Sequence, residues 1–170
     1  MPDAACLPLD ELSTGQEVFL DANVFIYAAC VKSAQCMRML RRCAREELYG
    51  VTTFEVLNEV THRLMLAEAL STGIVTRESA ASLARHPEGI RGLSTYWNQV
   101  ERILQLNLII VPADEARMRA ANAIRAAYGL LTNDSMVVAA MEERGLIALA
   151  SADTDFDRVF GLIRYAPFDL

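Results

Sequence analysis

A chain of 170 residues with 53% hydrophobic content has material for a substantial core, which excludes intrinsic disorder, and its length predicts a single domain over 1–170. No apolar run approaches a bilayer span, and Met1–Asp10 holds no basic residue and no continuous apolar segment, so no membrane association and no signal peptide are expected and the default location is cytoplasmic. The net charge of −6 is opposite to what phosphate contacts need, and only Lys32 among 16 basic residues is a lysine, which disfavours lysine-dependent chemistry.

Val18-Phe19-Leu20 follows Thr14-Gly15, is too short for a helix, and reads as a buried strand. It ends on Asp21. A carboxylate there is costly unless it meets a cation or hydrogen-bond donors. Asp21 and Asn23 are therefore either caps on the next helix or site residues in the crevice at the carboxyl ends of parallel strands. Ser33–Glu47 sets Cys36, Met39, Leu40 and Cys43 on one helix face and Arg38, Arg41, Arg42 and Arg45 on another. Cys6, Cys30, Cys36 and Cys43 match no zinc spacing and read as buried free thiols.

Gly50 turns the chain into a second strand, Val51-Thr52-Thr53. Thr52 and Glu55 fit a capping box for a helix buried through Leu57, Val60 and Leu64, ending near Ala69, with Glu59 off that stripe. Thr76–Asn107 reads as helical with breaks at His86-Pro87 and Gly89, and with Trp97 as a packing anchor beside Leu93, Val100 and Leu104. Leu108–Val111 is a third strand, stopped by Pro112, and Asp114 caps a helix that ends at Tyr128-Gly129. Thr132-Asn133-Asp134-Ser135 opens a helix closed by Gly145. Leu146–Ala150 is a fourth strand running into Ser151–Asp157, and Ile163–Ala166 is a fifth, at the edge. The alternation predicts an α/β fold, a three-layer α/β/α sandwich on a parallel four- or five-stranded sheet.

Four acids then fall at equivalent places. Asp21 follows the first strand, Glu59 lies in the helix after the second, Asp134 is in the first turn of a helix, and Asp153 with Asp155 follows the fourth strand. Carboxylates gathered at one sheet edge repel one another and call for a cation. Oxygen ligands without His or Cys select Mg²⁺ or Mn²⁺, an ion suited to phosphoryl transfer. Each acid taken alone could equally be a cap or a turn residue.

The blocks FLDANVFIY, YGVTTFEVLNEVTHRL, LLTNDSMVVAAMEERG and LIALASADTDFDRV resemble, in that order, the motifs of the PIN-domain nucleases, and among them the VapC-type toxins of toxin–antitoxin pairs. The resemblance implies that Asp21, Glu59, Asp134 and Asp153 bind one or two Mg²⁺ or Mn²⁺ ions and carry catalysis, with Asn23, Ser151 and Asp155 as their support. It implies an endoribonuclease cutting RNA, such as tRNA, by activated water to leave a 3′-hydroxyl and a 5′-phosphate. A cognate antitoxin would hold it inactive, and family members commonly form homodimers. Ser151 stands where Thr is more usual, and Thr76–Asn107 is longer than in the shortest members. Arg38, Arg41, Arg42 and Arg45 are candidate contacts to RNA or antitoxin, or a solvated face.

Other classes fit less well. A haloacid-dehalogenase-type phosphotransferase needs a second acid at the position of Asn23 and, like receiver domains, a late lysine. A serine or cysteine hydrolase would have only His62 and His86 as bases, and neither follows a strand. The alternative of a different class is a non-catalytic PIN-fold module that binds RNA or protein.

Overall fold

A computed structural model describes residues 6–170. Residues 1–5, on which the reading of Met1–Asp10 rests in part, lie outside the described residues. Among the described residues six strands form one sheet: β1 (Cys6–Pro8), β2 (Glu17–Leu20), β3 (Tyr49–Thr53), β4 (Ile109–Val111), β5 (Ala148–Ala150) and β6 (Ile163–Ala166). Their order is β1-β6-β5-β2-β3-β4 and every pairing is parallel. This is the expected α/β sheet with one strand more than the four or five anticipated. Three residues before Leu9 are too few to carry a period, so β1 is invisible as a pattern; its pairing along β6 moves Ile163–Ala166 inward from the edge.

Val18, Phe19 and Leu20 are consecutive and all fully buried, as are Leu149 and Ala150. Successive strand residues point to opposite faces, so both faces of the central strands are covered. The chain moves outward from β2 through β3 to β4, then returns to the other side of β2 as β5 and continues to β6. The β2/β5 junction is thus the switch point, where the carboxyl ends of neighbouring strands open a crevice.

Among the described residues eight α-helices connect the strands: α1 (Ala22–Ile26, continued by a wider turn at Tyr27–Val31), α2 (Ala34–Ala44), α3 (Phe54–Ser71), α4 (Ala80–Leu83), α5 (Pro87–Gly92), α6 (Thr95–Leu104), α7 (Glu115–Tyr128) and α8 (Thr132–Arg144). Cys36, Met39 and Cys43 of α2 face the core as expected, whereas Cys30 is exposed and Cys6 only half-buried, against the expectation of four buried thiols. Gly50 lies inside β3 rather than in a turn, and its missing side chain leaves room for its neighbours: a Cβ there would come 2.5 Å from Leu20 Cδ1 and 2.8 Å from Leu108 Cδ2.

The cap of α3 is also displaced by one residue. Thr53 accepts from the Val56 amide, while the buried Thr52 hydroxyl donates to the Leu20 carbonyl and ties β3 to the end of β2. Thr76–Asn107 divides into α4, α5 and α6. The N-terminus of α6 has no cap of its own; Glu68 of α3 accepts from the Ser94, Thr95 and Tyr96 amides instead. The inner face of α6 is Val100 and Ile103, and Trp97 is 46% exposed rather than a packing anchor. It falls on the outer side once α6 is fixed by Glu68.

Candidate metal centre

Asp21 is the cap of α1 and a cavity residue at once, because its two oxygens are used differently. Oδ1 accepts from the Ala22 amide at 2.7 Å. Oδ2 accepts from Asn23 Nδ2 at 2.7 Å and from Ser151 Oγ at 2.7 Å. The register puts Leu20 beside Ala150, and the Asp21 amide donates to the Ala150 carbonyl at 3.1 Å. Asp21 and Ser151 therefore leave the sheet side by side.

Asn23 completes the link: Nδ2 also donates to Ser151 Oγ at 2.9 Å, and Oδ1 accepts from the Ala152 amide at 3.1 Å. Ser151 Oγ in turn accepts from the Asp153 amide, and Asp153 Oδ1 from the Asp155 amide at 2.8 Å. The loop after β5 is thereby folded onto the end of β2. Beneath it, the buried Arg164 of β6 donates to both oxygens of Asp157, at 2.6 and 2.9 Å, and to the Ser151 carbonyl at 3.2 Å. Neither Arg164 nor its role was visible in the sequence, since the pair depends on the β5–β6 register.

Glu59 reaches the same cavity from the second turn of α3, and Asp134 from the first turn of α8. The cavity, of about 380 Å³, is lined by Asp21, Asn23, Tyr27, Glu59, Arg63, Asp134 and Asp153. All four acids singled out in the sequence thus meet in one place. Carboxylate oxygens of Asp134, Asp153 and Asp155 lie within 4.8 Å of one another. Asp155 also accepts from Arg158 at 2.7 Å, and Glu59 accepts from Asn133 Nδ2 at 3.0 Å. The sequence marks Asn133 only as part of a helix start. Its proximity to Asp134 was the available signal.

Burial above all, with the charges of Glu59 and Asp134, pushes the Asp21 carboxyl up to about 6 against the hydrogen bonds from Ser151 and Ala22. Asp134 is raised as well, first by burial and then by Asp153, Asp155 and Glu59. These are anions held together against their repulsion. A donor set of carboxylate oxygens without His or Cys fits a hard divalent cation.

The arginines of α2 lie elsewhere. Arg38 pairs with Asp10 at 2.7 Å, Arg42 donates to the Leu12 carbonyl at 2.8 Å and approaches Glu47, and Arg45 also faces Glu47. Arg41 lines a separate, mostly apolar groove together with Arg102. None of the four is on the wall of the acidic cavity.

A family model described as the PIN domain matches residues 18–162. Among solved structures, VapBC2 from Rickettsia felis bound to a DNA fragment from their promoter is similar with a TM-score of 0.59 and 14% identity, over 88% of this chain and 98% of that chain. A toxin–antitoxin complex from Klebsiella pneumoniae is similar with a TM-score of 0.50 and 16% identity, over 90% and 99% of the two chains. At such identities the likeness is one of fold. No curated protein matches the sequence.

Proposed function

Since the chain belongs to the PIN domain family, we propose that it is a Mg²⁺- or Mn²⁺-dependent endoribonuclease, the toxin of a toxin–antitoxin pair. The observation that carries this reading is the convergence of Asp21, Glu59, Asp134 and Asp153 in one cavity, with Asp155 in the carboxylate cluster. Asp21, Glu59, Asp134 and Asp153 would hold the cation, joined by Asp155. When bound, it supplies charge neutralisation on the phosphate and acidifies water.

The chain's own contribution is orientation. Asn23 and Ser151 fix Asp21 Oδ2, which leaves Oδ1 with one lone pair beyond its bond to the Ala22 amide. Asn133 holds Glu59, and Arg158 holds Asp155. Supports of this kind set ligand geometry and basicity. Hydrolysis then forms a water oxygen–phosphorus bond and breaks the phosphorus–O3′ bond, leaving a 3′-hydroxyl and a 5′-phosphate. The similarity in fold to chains from toxin–antitoxin complexes supports an antitoxin as the partner. A homodimer and a structured RNA such as tRNA complete the reading, which implies a cytoplasmic protein.

The test is incubation of the purified chain with total bacterial RNA in Mg²⁺, Mn²⁺ or chelator. Cleavage that needs the metal and is absent from Asp21→Asn and Asp134→Asn is expected. Undiminished cleavage by either variant refutes the mechanism. Growth arrest on expression, relieved by the product of a neighbouring open reading frame, tests the toxin assignment. Absence of both cleavage and arrest favours a non-catalytic binding module.

A further inference from the structure

The cavity that gathers the carboxylates has, among the described residues, a single cationic side chain on its wall, Arg63. It stands one helical turn beyond Glu59 on α3, so the two side chains leave the same helix face. Its ion-pair partner is not one of the cavity's acids. Arg63 reaches Glu78 Oε2 at 3.3 Å, and both side chains are half-exposed. An exposed pair of this kind is weak and screened by salt, so Glu78 is a readily exchanged partner.

Three other basic groups are spent on contacts of their own. Arg158 donates to Asp155 and to the Gly129 carbonyl, Arg164 to Asp157 and the Ser151 carbonyl, and Arg38 to Asp10. A polyanion entering this cavity meets repulsion from Asp21, Glu59, Asp134 and Asp153, and Arg63 is the cationic side chain on its wall that attracts it. A guanidinium presents a planar fork that matches two oxygens of a phosphate.

We propose that Arg63 binds the phosphodiester of the substrate in this cavity, releasing Glu78 for non-bridging phosphate oxygens; the inference rests on the nuclease reading above. Glu78 is then the counter-charge that holds Arg63 at the cavity mouth until substrate arrives. No bond is made or broken in this exchange. It sets how the phosphate is held, and therefore how strongly the enzyme binds its substrate.

Hydrolysis of bis(p-nitrophenyl) phosphate with Mn²⁺, followed alongside cleavage of total bacterial RNA, separates this inference from the parent reading. Arg63→Ala is expected to lower kcat/KM by about tenfold to a hundredfold, with Arg63→Lys between it and the wild type, since lysine keeps the charge and loses the fork. Glu78→Gln is expected to lower KM by about two- to threefold in the wild-type background and to have no effect in Arg63→Ala. Wild-type kcat/KM in a folded Arg63→Ala overturns the proposal. So does an equal effect of Glu78→Gln in both backgrounds, which is the signature of bulk charge. A wild-type chain inert toward both substrates with either metal refutes the nuclease reading itself, and the proposal falls with it.

Discussion

Asp21→Asn should stabilise the metal-free protein while abolishing its activity. Asp21 is raised from an ordinary 3.8 to about 6, so the folded state holds a proton that the unfolded state releases between these values. Below pH 3.8 both states are protonated and burial of the carboxyl costs nothing extra. Above pH 6 the folded protein carries a buried anion. At about 1.36 kcal/mol per pH unit, that anion removes about 3 kcal/mol of stability at neutral pH. Asparagine removes the charge and keeps the shape, but its amide would face Asn23 Nδ2, donor against donor, at a cost of about 1 kcal/mol. The net gain is about 2 kcal/mol, or about 4–8 °C in Tm for a chain of this size. Thermal unfolding in chelator at pH 8 and pH 4 measures it. The gain should be present at pH 8 and gone at pH 4, and saturating Mg²⁺ should raise the Tm of the wild type only. An Asp21→Asn protein less stable than wild type at pH 8, or equally stabilised at both values, refutes the argument that burial and neighbouring carboxylates strain Asp21.

Three further outcomes follow from contacts around the cavity and the helices that frame it. Asn133→Ala frees Glu59 from its hydrogen bond and should reduce metal-dependent cleavage or metal affinity by about 10- to 100-fold with little change in Tm, measured by metal titration of activity. Arg164→Met removes the brace under the Ser151–Asp157 loop. Because Asp157 keeps part of its solvent contact, the cost should be about 2 kcal/mol, below the value for a fully buried pair, read from urea unfolding. Glu68→Ala leaves the first amides of α6 without acceptors and should cost about 1 kcal/mol at pH 7. Burial works against the Glu68 carboxylate, but the Tyr96, Ser94 and Thr95 amides hold its pKa below the ordinary value. The wild type should therefore lose this contribution as pH falls below the ordinary glutamate value of 4.5, and Glu68→Ala should show a correspondingly flatter acid limb.

What was legible in the sequence follows from short-range rules. The run Val18–Leu20 ending on Asp21, the β-branched Val51–Thr53 and the apolar Ala148–Ala150 announce strands, and Ser33, Asp114, Gly129 and Gly145 mark helix ends, because burial period and terminal hydrogen bonds are local properties. The four acids were also legible, since each occupies a strand end or an early helix turn and a parallel sheet sends all such positions to one edge.

Only the tertiary structure decided how those acids are held. Strand order sets β5 against β2, and from that register comes the Asn23–Ser151–Asp21 network, while the β5–β6 register seats Arg164 under the Ser151 carbonyl and beside Asp157. Position along the chain carries no information about partners about 130 residues away. The same holds for Trp97, whose exposure depends on where Glu68 seats α6, and for Arg63, whose place on the cavity wall depends on how α3 docks beside α1 and α8. The pattern determined which residues lie at the edge of the sheet. Packing determined which of them meet, and at what electrostatic cost to Asp21.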